Sequence, residues 1–65
     1  MFKEKEYWMP NNDWDYEEND KIIFQGQLGT VEDHALTVER DQMFLIRLDN
    51  GVYHWVFSYD LRRAV

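Results

Sequence analysis

From residue 21 onward, short apolar runs alternate with turn-forming residues, as is typical of a small antiparallel β domain. Residues 21–25 form a β-rich run that is closed by Gly26. Residues 42–48 and 52–57 form two longer runs of the same kind, and Asn50-Gly51 lies between them. Since Asn-Gly between two such runs is the strongest short-range hairpin signal, the pattern predicts an antiparallel hairpin here.

A two-residue turn at Asn50-Gly51 predicts positive φ at both residues and also fixes the pairing register of the hairpin. In that register Ile46 faces Trp55, and Arg47 faces His54 as a surface pair. Because side chains alternate between the two faces of a sheet, one face is predicted to be wholly apolar. This predicted core face consists of Phe44, Ile46, Leu48, Tyr53, Trp55 and Phe57. Trp55→Ala is accordingly expected to cost about 3–5 kcal/mol.

The rest of the chain completes an all-β prediction. Residues 30–31 begin another strand. The stretch 32–41 is ambiguous, with a strand-like run at residues 34–38 and a turn pattern at residues 39–41. Residues 58–61 break the alternation as a tight turn, and residues 62–65 form a last short strand. Residues 5–9 predict a short strand and residues 11–20 a loop. We therefore predict one domain over residues 1–65, with an N-terminal arm and acidic aromatic loop at 1–20 and a barrel core at 21–65.

Residues 21–61 resemble small SH3-like barrels of the KOW and Tudor type, a fold of many short bacterial and phage proteins. The resemblance rests on Gly26-Gln27-Leu28-Gly29-Thr30-Val31 after an apolar strand, and on the later hairpin and one-turn element. It implies a five-stranded SH3-like barrel in which glycines permit a sharp bend. KOW modules that bind RNA are usually basic, unlike this chain. The paired Trp and the Pro-containing segment of peptide-binding SH3 domains are also missing.

Composition narrows the function classes. The chain has 65 residues, 17% of them aromatic, and no cysteine, so disulfides and thiolate metal sites are excluded. No apolar run approaches the roughly 18 residues of a membrane span, and a cytoplasmic protein is expected. The net charge of −6 opposes non-specific binding to nucleic acid, which requires basic residues.

No group of residues in the sequence indicates a catalytic mechanism or a cofactor. Asn11, Asp13, Asp15 and Glu17 alternate and offer oxygen ligands, but the spacing lacks the central Gly and terminal Glu of an EF-hand loop. A solvated acidic loop is the preferred interpretation, with no metal and no cofactor. His34, His54 and Ser58 form no recognisable nucleophile arrangement, so the protein is predicted not to be an enzyme.

The aromatic residues outside the predicted core suggest binding, since exposed Trp and Tyr are enriched at binding hot spots. The candidate partner-binding residues are Asp13, Trp14, Asp15, Tyr16, Glu17 and Tyr59. The alternative is that the segment is extended, so that Trp14 and Tyr16 project to one side and pack on the barrel while the carboxylates project to the other side and face water.

The leading hypothesis is a non-enzymatic protein-interaction module, such as a phage or prophage accessory protein, that binds a protein with a basic surface. The alternatives are an acidic inhibitor that mimics nucleic acid, and a nucleic-acid-binding SH3-like module that uses its aromatic face. A homo-oligomer is left open.

Overall fold

The computed structural model describes residues 14–64, and these residues contain five β-strands and one short 3-10 helix. The Lys5–Met9 segment, for which a strand is predicted, and Asp13 lie outside the described residues. The elements follow in the order β1 (Lys21–Phe24), β2 (Gln27–Leu36), β3 (Gln42–Leu48), β4 (Tyr53–Phe57), the 3-10 helix (Ser58–Asp60) and β5 (Leu61–Arg63).

All five strands belong to one antiparallel sheet with the order β4-β3-β2-β1-β5. The predicted all-β class with five strands is therefore confirmed. The arrangement is consistent with a small β-barrel-like fold, although the sheet is not closed, and β4 and β5 form its two edges. No helix among residues 14–64 is long and apolar enough to span a membrane.

The turn between β1 and β2 is the two-residue hairpin turn of this fold. Gln25 and Gly26 both have positive φ, at 51° and 81°, and Phe24 pairs with Gln27 directly across the turn. Two consecutive positive φ values are the signature of a type I′ turn, whose twist matches that of the flanking strands.

The predicted register of the β3–β4 hairpin is wrong by one residue. Leu45 pairs with Trp55 and Ile46 pairs with His54, while Arg47 pairs with Tyr53 rather than with His54. The cause is the connecting loop, which has three residues and positive φ only at Gly51, at 91°. The Gly51 N–H donates to the Leu48 carbonyl, as in a type I turn that is followed by a glycine bulge. The predicted positive φ at Asn50 is therefore also wrong.

The shifted register turns the aromatic side chains of β4 away from the core. Val56, opposite Phe44, is buried, whereas Trp55 and Tyr53 are 49% and 55% exposed. Trp55 is therefore not a core anchor, and its replacement by alanine is not expected to cost several kcal/mol. Phe57 is half-buried and lies on the same outer face.

The core is filled by side chains from every strand and by one residue from the loop that precedes β1. Its buried apolar members are Tyr16, Ile22, Val31, Phe44, Ile46, Leu48, Val56 and Leu61. Trp14 and Phe24 pack against this cluster from its periphery. In so small a domain the large aromatic side chains contribute a major share of the buried area, which explains why a loop residue is used in the core.

We expect position 51 to require glycine because of its backbone conformation, and not because a larger side chain would clash with a neighbour. A Cβ at this position meets nothing within 4 Å, but φ is 91°. Gly51→Ala should therefore destabilise the domain by about 1–2 kcal/mol, the cost of a left-handed conformation in an L-residue. Gly51→Asn should cost less, since Asn tolerates this region. Urea titrations of both variants test the prediction, and equal wild-type stability of the two would contradict it.

Candidate functional site

The segment 14–17 alternates between core-facing and solvent-facing side chains. Trp14 is half-buried and Tyr16 is 8% exposed, while Asp15 and Glu17 are exposed. Both rings make edge contacts with Phe44, with ring centroids 6.2 Å away for Trp14 and 5.4 Å away for Tyr16. The aromatic side of this segment therefore packs on the sheet, and the carboxylate side faces water.

Residues at the far end of the chain hold this segment in place. Arg63 donates from Nη2 to the Asp15 carbonyl at 2.9 Å and from Nη1 to Asp20 Oδ2 at 3.4 Å. Its guanidinium also lies over the Tyr16 ring, 5.1 Å from the centroid, in a cation–π arrangement. Ser58 Oγ donates to the Asp15 carboxylate. The acidic segment is thus fixed to β5 and to the 3-10 helix.

Residues 17–20 form a compact turn that is bonded to β2. The Glu17 N–H donates to Asp20 Oδ2 at 2.9 Å, and the Asp20 N–H donates to the Glu17 carbonyl at 3.0 Å. Val31 accepts from the Asn19 N–H at 2.7 Å and donates to the Asp20 carbonyl at 2.9 Å. Asn19 has φ of 76°, which Asn tolerates better than most residues. The carboxylates of this turn therefore project from an ordered backbone.

A bulge in β2 brings His34 to the same place. Val31 pairs with Ile46 and Asp33 with Leu45, so Glu32 is the extra residue. The shift places His34 opposite Phe44 and on its face of the sheet, where unbroken alternation would have placed Asp33. The His34 and Trp14 rings are 4.2 Å apart between centroids. The sequence gives no signal for this contact, because nothing marks the bulge.

An open depression of about 390 Å³ lies between His34 and the segment that begins at Trp14. Its lining consists of Trp14, Tyr16, Glu17, Glu18, Asn19 and His34. His34 Nδ1 lies 3.8 Å from Glu18 Oε2. Donor atoms of Glu18, Asp33 and His34 all lie within 4.8 Å of one another, so these three residues could hold a divalent cation. A half-buried aromatic ring beside several carboxylates also suits an organic cation.

The structure brings together only some of the residues that the sequence singles out. Trp14, Tyr16 and Glu17 line the depression, and Tyr16 lies largely in the core. Asp15 is exposed but bonded to Ser58 and Arg63. Tyr59 does not line the depression. Sequence reasoning missed Glu18 and His34 as members of this site, because 15 residues separate them along the chain.

Tyr59 belongs instead to a second exposed surface on the outer face of β3 and β4. It is 75% exposed and stacks on Phe57, with centroids 5.1 Å apart and an angle of 5° between the rings. Tyr53 and Trp55 extend this surface along β4. We call it the outer aromatic face and define it by these four residues.

Comparisons with protein-family models, with curated proteins and with solved structures found no match for this chain. The resemblance to SH3-like barrels of the KOW and Tudor type therefore stays a prediction.

Proposed function

We propose that this protein is a non-enzymatic interaction module that binds the basic surface of a partner protein. In this proposal an arginine or lysine side chain of the partner enters the Trp14 depression. The observation that carries the proposal is the half-buried Trp14 ring, which lines the depression together with the exposed carboxylates of Glu17 and Glu18.

The chemistry of the depression favours a cationic side chain. A guanidinium or ammonium group gains attraction from the face of a Trp ring, and it forms strong charge-assisted hydrogen bonds with carboxylates. Within residues 14–64, the Glu17 carboxylate is in no ion pair, and Glu18 pairs only with His34. Both carboxylates therefore remain available to a ligand.

Rigidity and charge add to this support. The turn at residues 17–20 is held to Val31 by two backbone hydrogen bonds, so less ordering entropy is lost on binding. The net charge of −6 attracts a basic partner over distance and raises its association rate at low salt.

An NMR titration with synthetic peptides tests the proposal. A short arginine-rich peptide should shift the Trp14 indole and His34 signals, and the affinity should fall as salt is added. A peptide of the same length with glutamate in place of arginine is the negative control, and a short DNA duplex tests nucleic-acid binding. Chelator is present throughout, so that a metal ion cannot mediate the effect.

A matched pair of double variants separates a defined site from general charge attraction. Glu17→Gln with Glu18→Gln should weaken peptide binding by about fivefold or more. Glu39→Gln with Asp49→Asn removes the same charge from exposed positions that do not line the depression, and should change affinity by less than about twofold. Equal losses in the two variants, or no shift at Trp14, would contradict the proposed site.

The proposal includes a cytoplasmic location, which the absence of cysteine supports. It also includes a phage or prophage accessory role, which the resemblance to short bacterial and phage SH3-like proteins supports. If this chain captures a nucleic-acid-binding protein and competes with DNA for it, the acidic-inhibitor hypothesis replaces the simple interaction module.

A further inference from the structure

β4 is an edge strand without the usual protection against pairing. Its five residues, Tyr53–Phe57, contain no Lys, Arg, Asp, Glu or Pro. Natural edge strands are usually blunted by charge, proline or a bulge. β5, at the other edge of the sheet, carries Arg62 and Arg63. Among residues 14–64, no strand covers the free side of β4.

The register shows which backbone groups of β4 point away from the sheet. The Leu48 N–H donates to the Val52 carbonyl at 2.8 Å at the end of the hairpin. In an antiparallel pair, alternate residues bond the neighbouring strand, so His54 and Val56 bond β3. The N–H and C=O groups of Tyr53, Trp55 and Phe57 therefore point outward, and their side chains lie on the outer aromatic face.

We propose that a second copy of this chain pairs with β4 in antiparallel orientation, about a two-fold axis beside Trp55. In this register Trp55 lies opposite the same residue of the second copy, and Tyr53 lies opposite Phe57. Every outward backbone group of the strand then gains a partner, which gives about six interchain hydrogen bonds. The two outer aromatic faces become continuous across the interface between the two β4 strands, which we call the seam.

Charge makes β4 a more favourable place for two copies to meet than the charged surfaces of the molecule. Each chain carries a net charge of −6, so two copies repel each other at most relative orientations. β4 carries none of this charge, and its self-pairing places no like charges directly opposite. Its outward residues are aromatic on both sides of Trp55, so the strand is complementary to itself, as a two-fold interface requires.

The expected affinity is modest. The exposed parts of Tyr53, Trp55 and Tyr59 amount to roughly 300–450 Å² per copy at the area that is typical of such side chains. Even if the dimer buried all of this area on both copies, it would bury less than a stable interface does. Stable interfaces bury about 1,200–2,000 Å² in total. We therefore expect a reversible dimer with Kd on the order of 100 μM.

Sedimentation equilibrium of the full chain tests the proposal. The mass should rise with concentration from 8.0 kDa towards twice that value. Added salt should strengthen the dimer, since it screens repulsion between two acidic chains. Salt should weaken the proposed binding of basic peptides, so the failure of one proposal is distinguishable from the failure of the other.

Trp55→Lys should weaken the dimer by about tenfold or more, because it places a solvated charge at the centre of the seam. Val38→Lys makes the same change of charge at a residue that is 92% exposed in the turn after β2, and should leave the dimer intact. Tyr53→Lys is a second variant with the same expected effect. Circular dichroism verifies that each variant is folded.

An isotope-filtered NMR experiment on mixed labelled and unlabelled chains identifies the seam. His54 and Val56 form a non-hydrogen-bonded pair across it, so their Hα atoms should give an intermolecular contact. A protein that stays monomeric at millimolar concentration would overturn the proposal. The proposal would fail in the same way if β4 were covered by residues 1–13 or by a ligand instead of a second copy. A dimer that Trp55→Lys and Val38→Lys affect equally, or one without this contact, would overturn it too.

Discussion

Replacing Phe44 by alanine is expected to unfold most of the protein at room temperature. Phe44 is fully buried and makes edge contacts with both Trp14 and Tyr16. Truncating a buried Phe to Ala costs about 3–5 kcal/mol, and each aromatic pair adds about 0.5–1.5 kcal/mol. A 65-residue domain has about 3–10 kcal/mol of stability in all, so the loss matches a large part of the total.

Tyr59→Ala is the control for this prediction. It removes an aromatic ring of similar size that is 75% exposed and touches Phe57 on the outer aromatic face. Its cost should stay below about 1 kcal/mol, since little buried area is lost.

Phe44→Leu keeps most of the volume and should cost about 1–2 kcal/mol, which leaves a measurable transition if Phe44→Ala is unfolded. Thermal and urea unfolding, followed by circular dichroism, gives all three values. Near-wild-type stability of Phe44→Ala would show that the core is centred elsewhere.

The sequence was sufficient for most of the strands but not for the pairing of the last hairpin. Asn50-Gly51 fits a two-residue type I′ turn and a three-residue turn with a glycine bulge equally well. In β4, Val56 and Trp55 are both apolar, so either register offers an apolar face to the core. The choice depends on volume. With Phe44 and Tyr16 already in the core, a residue as small as Val56 fits there.

The predicted type I′ geometry occurs in the fold, but at Gln25 and Gly26. Gln is an uncommon residue at the first of these positions, where Asn, Asp and Gly are preferred, so the local signal is weaker there than at Asn50-Gly51.

The candidate site could be predicted only in part, because it depends on contacts between distant residues. The alternation of Trp14 and Tyr16 with carboxylates correctly indicates one apolar and one charged side. The anchoring of Asp15 and Asp20 by Arg63 depends on β5 lying beside β1, which is a property of the whole sheet. The position of His34 depends on the bulge at Glu32 in β2, and no feature of the β2 sequence predicts that bulge.

Gly29→Val is expected to destabilise the domain by about 1–3 kcal/mol, for a steric reason that differs from the conformational one at Gly51. Gly29 lies in β2 between Ile22 of β1 and Leu48 of β3. A Cβ at Gly29 would lie 2.9 Å from the Arg47 carbonyl oxygen and 3.2 Å from Leu48 Cδ2. The nearest atom belongs to the backbone of a paired strand, which cannot move without disturbing the ladder. Intrinsic β-propensity favours Val over Gly by up to about 1 kcal/mol, so the sign of the measured change shows which effect is larger.

The same substitution at two glycines separates the steric cause from a general cost of losing glycine. Gly26→Asn should be nearly neutral, because nothing lies within 4 Å of a Cβ there and Asn tolerates its φ of 81°. Gly29→Asn should lower the melting temperature by several degrees or more, since a loss of 1 kcal/mol corresponds to about 4–8 °C in a domain of this size. If Asn is tolerated equally at both positions, or if Gly29→Val raises the melting temperature, the close approach of β2 to β3 at Arg47 is wrong, and with it the pairing of Gly29 with Leu48.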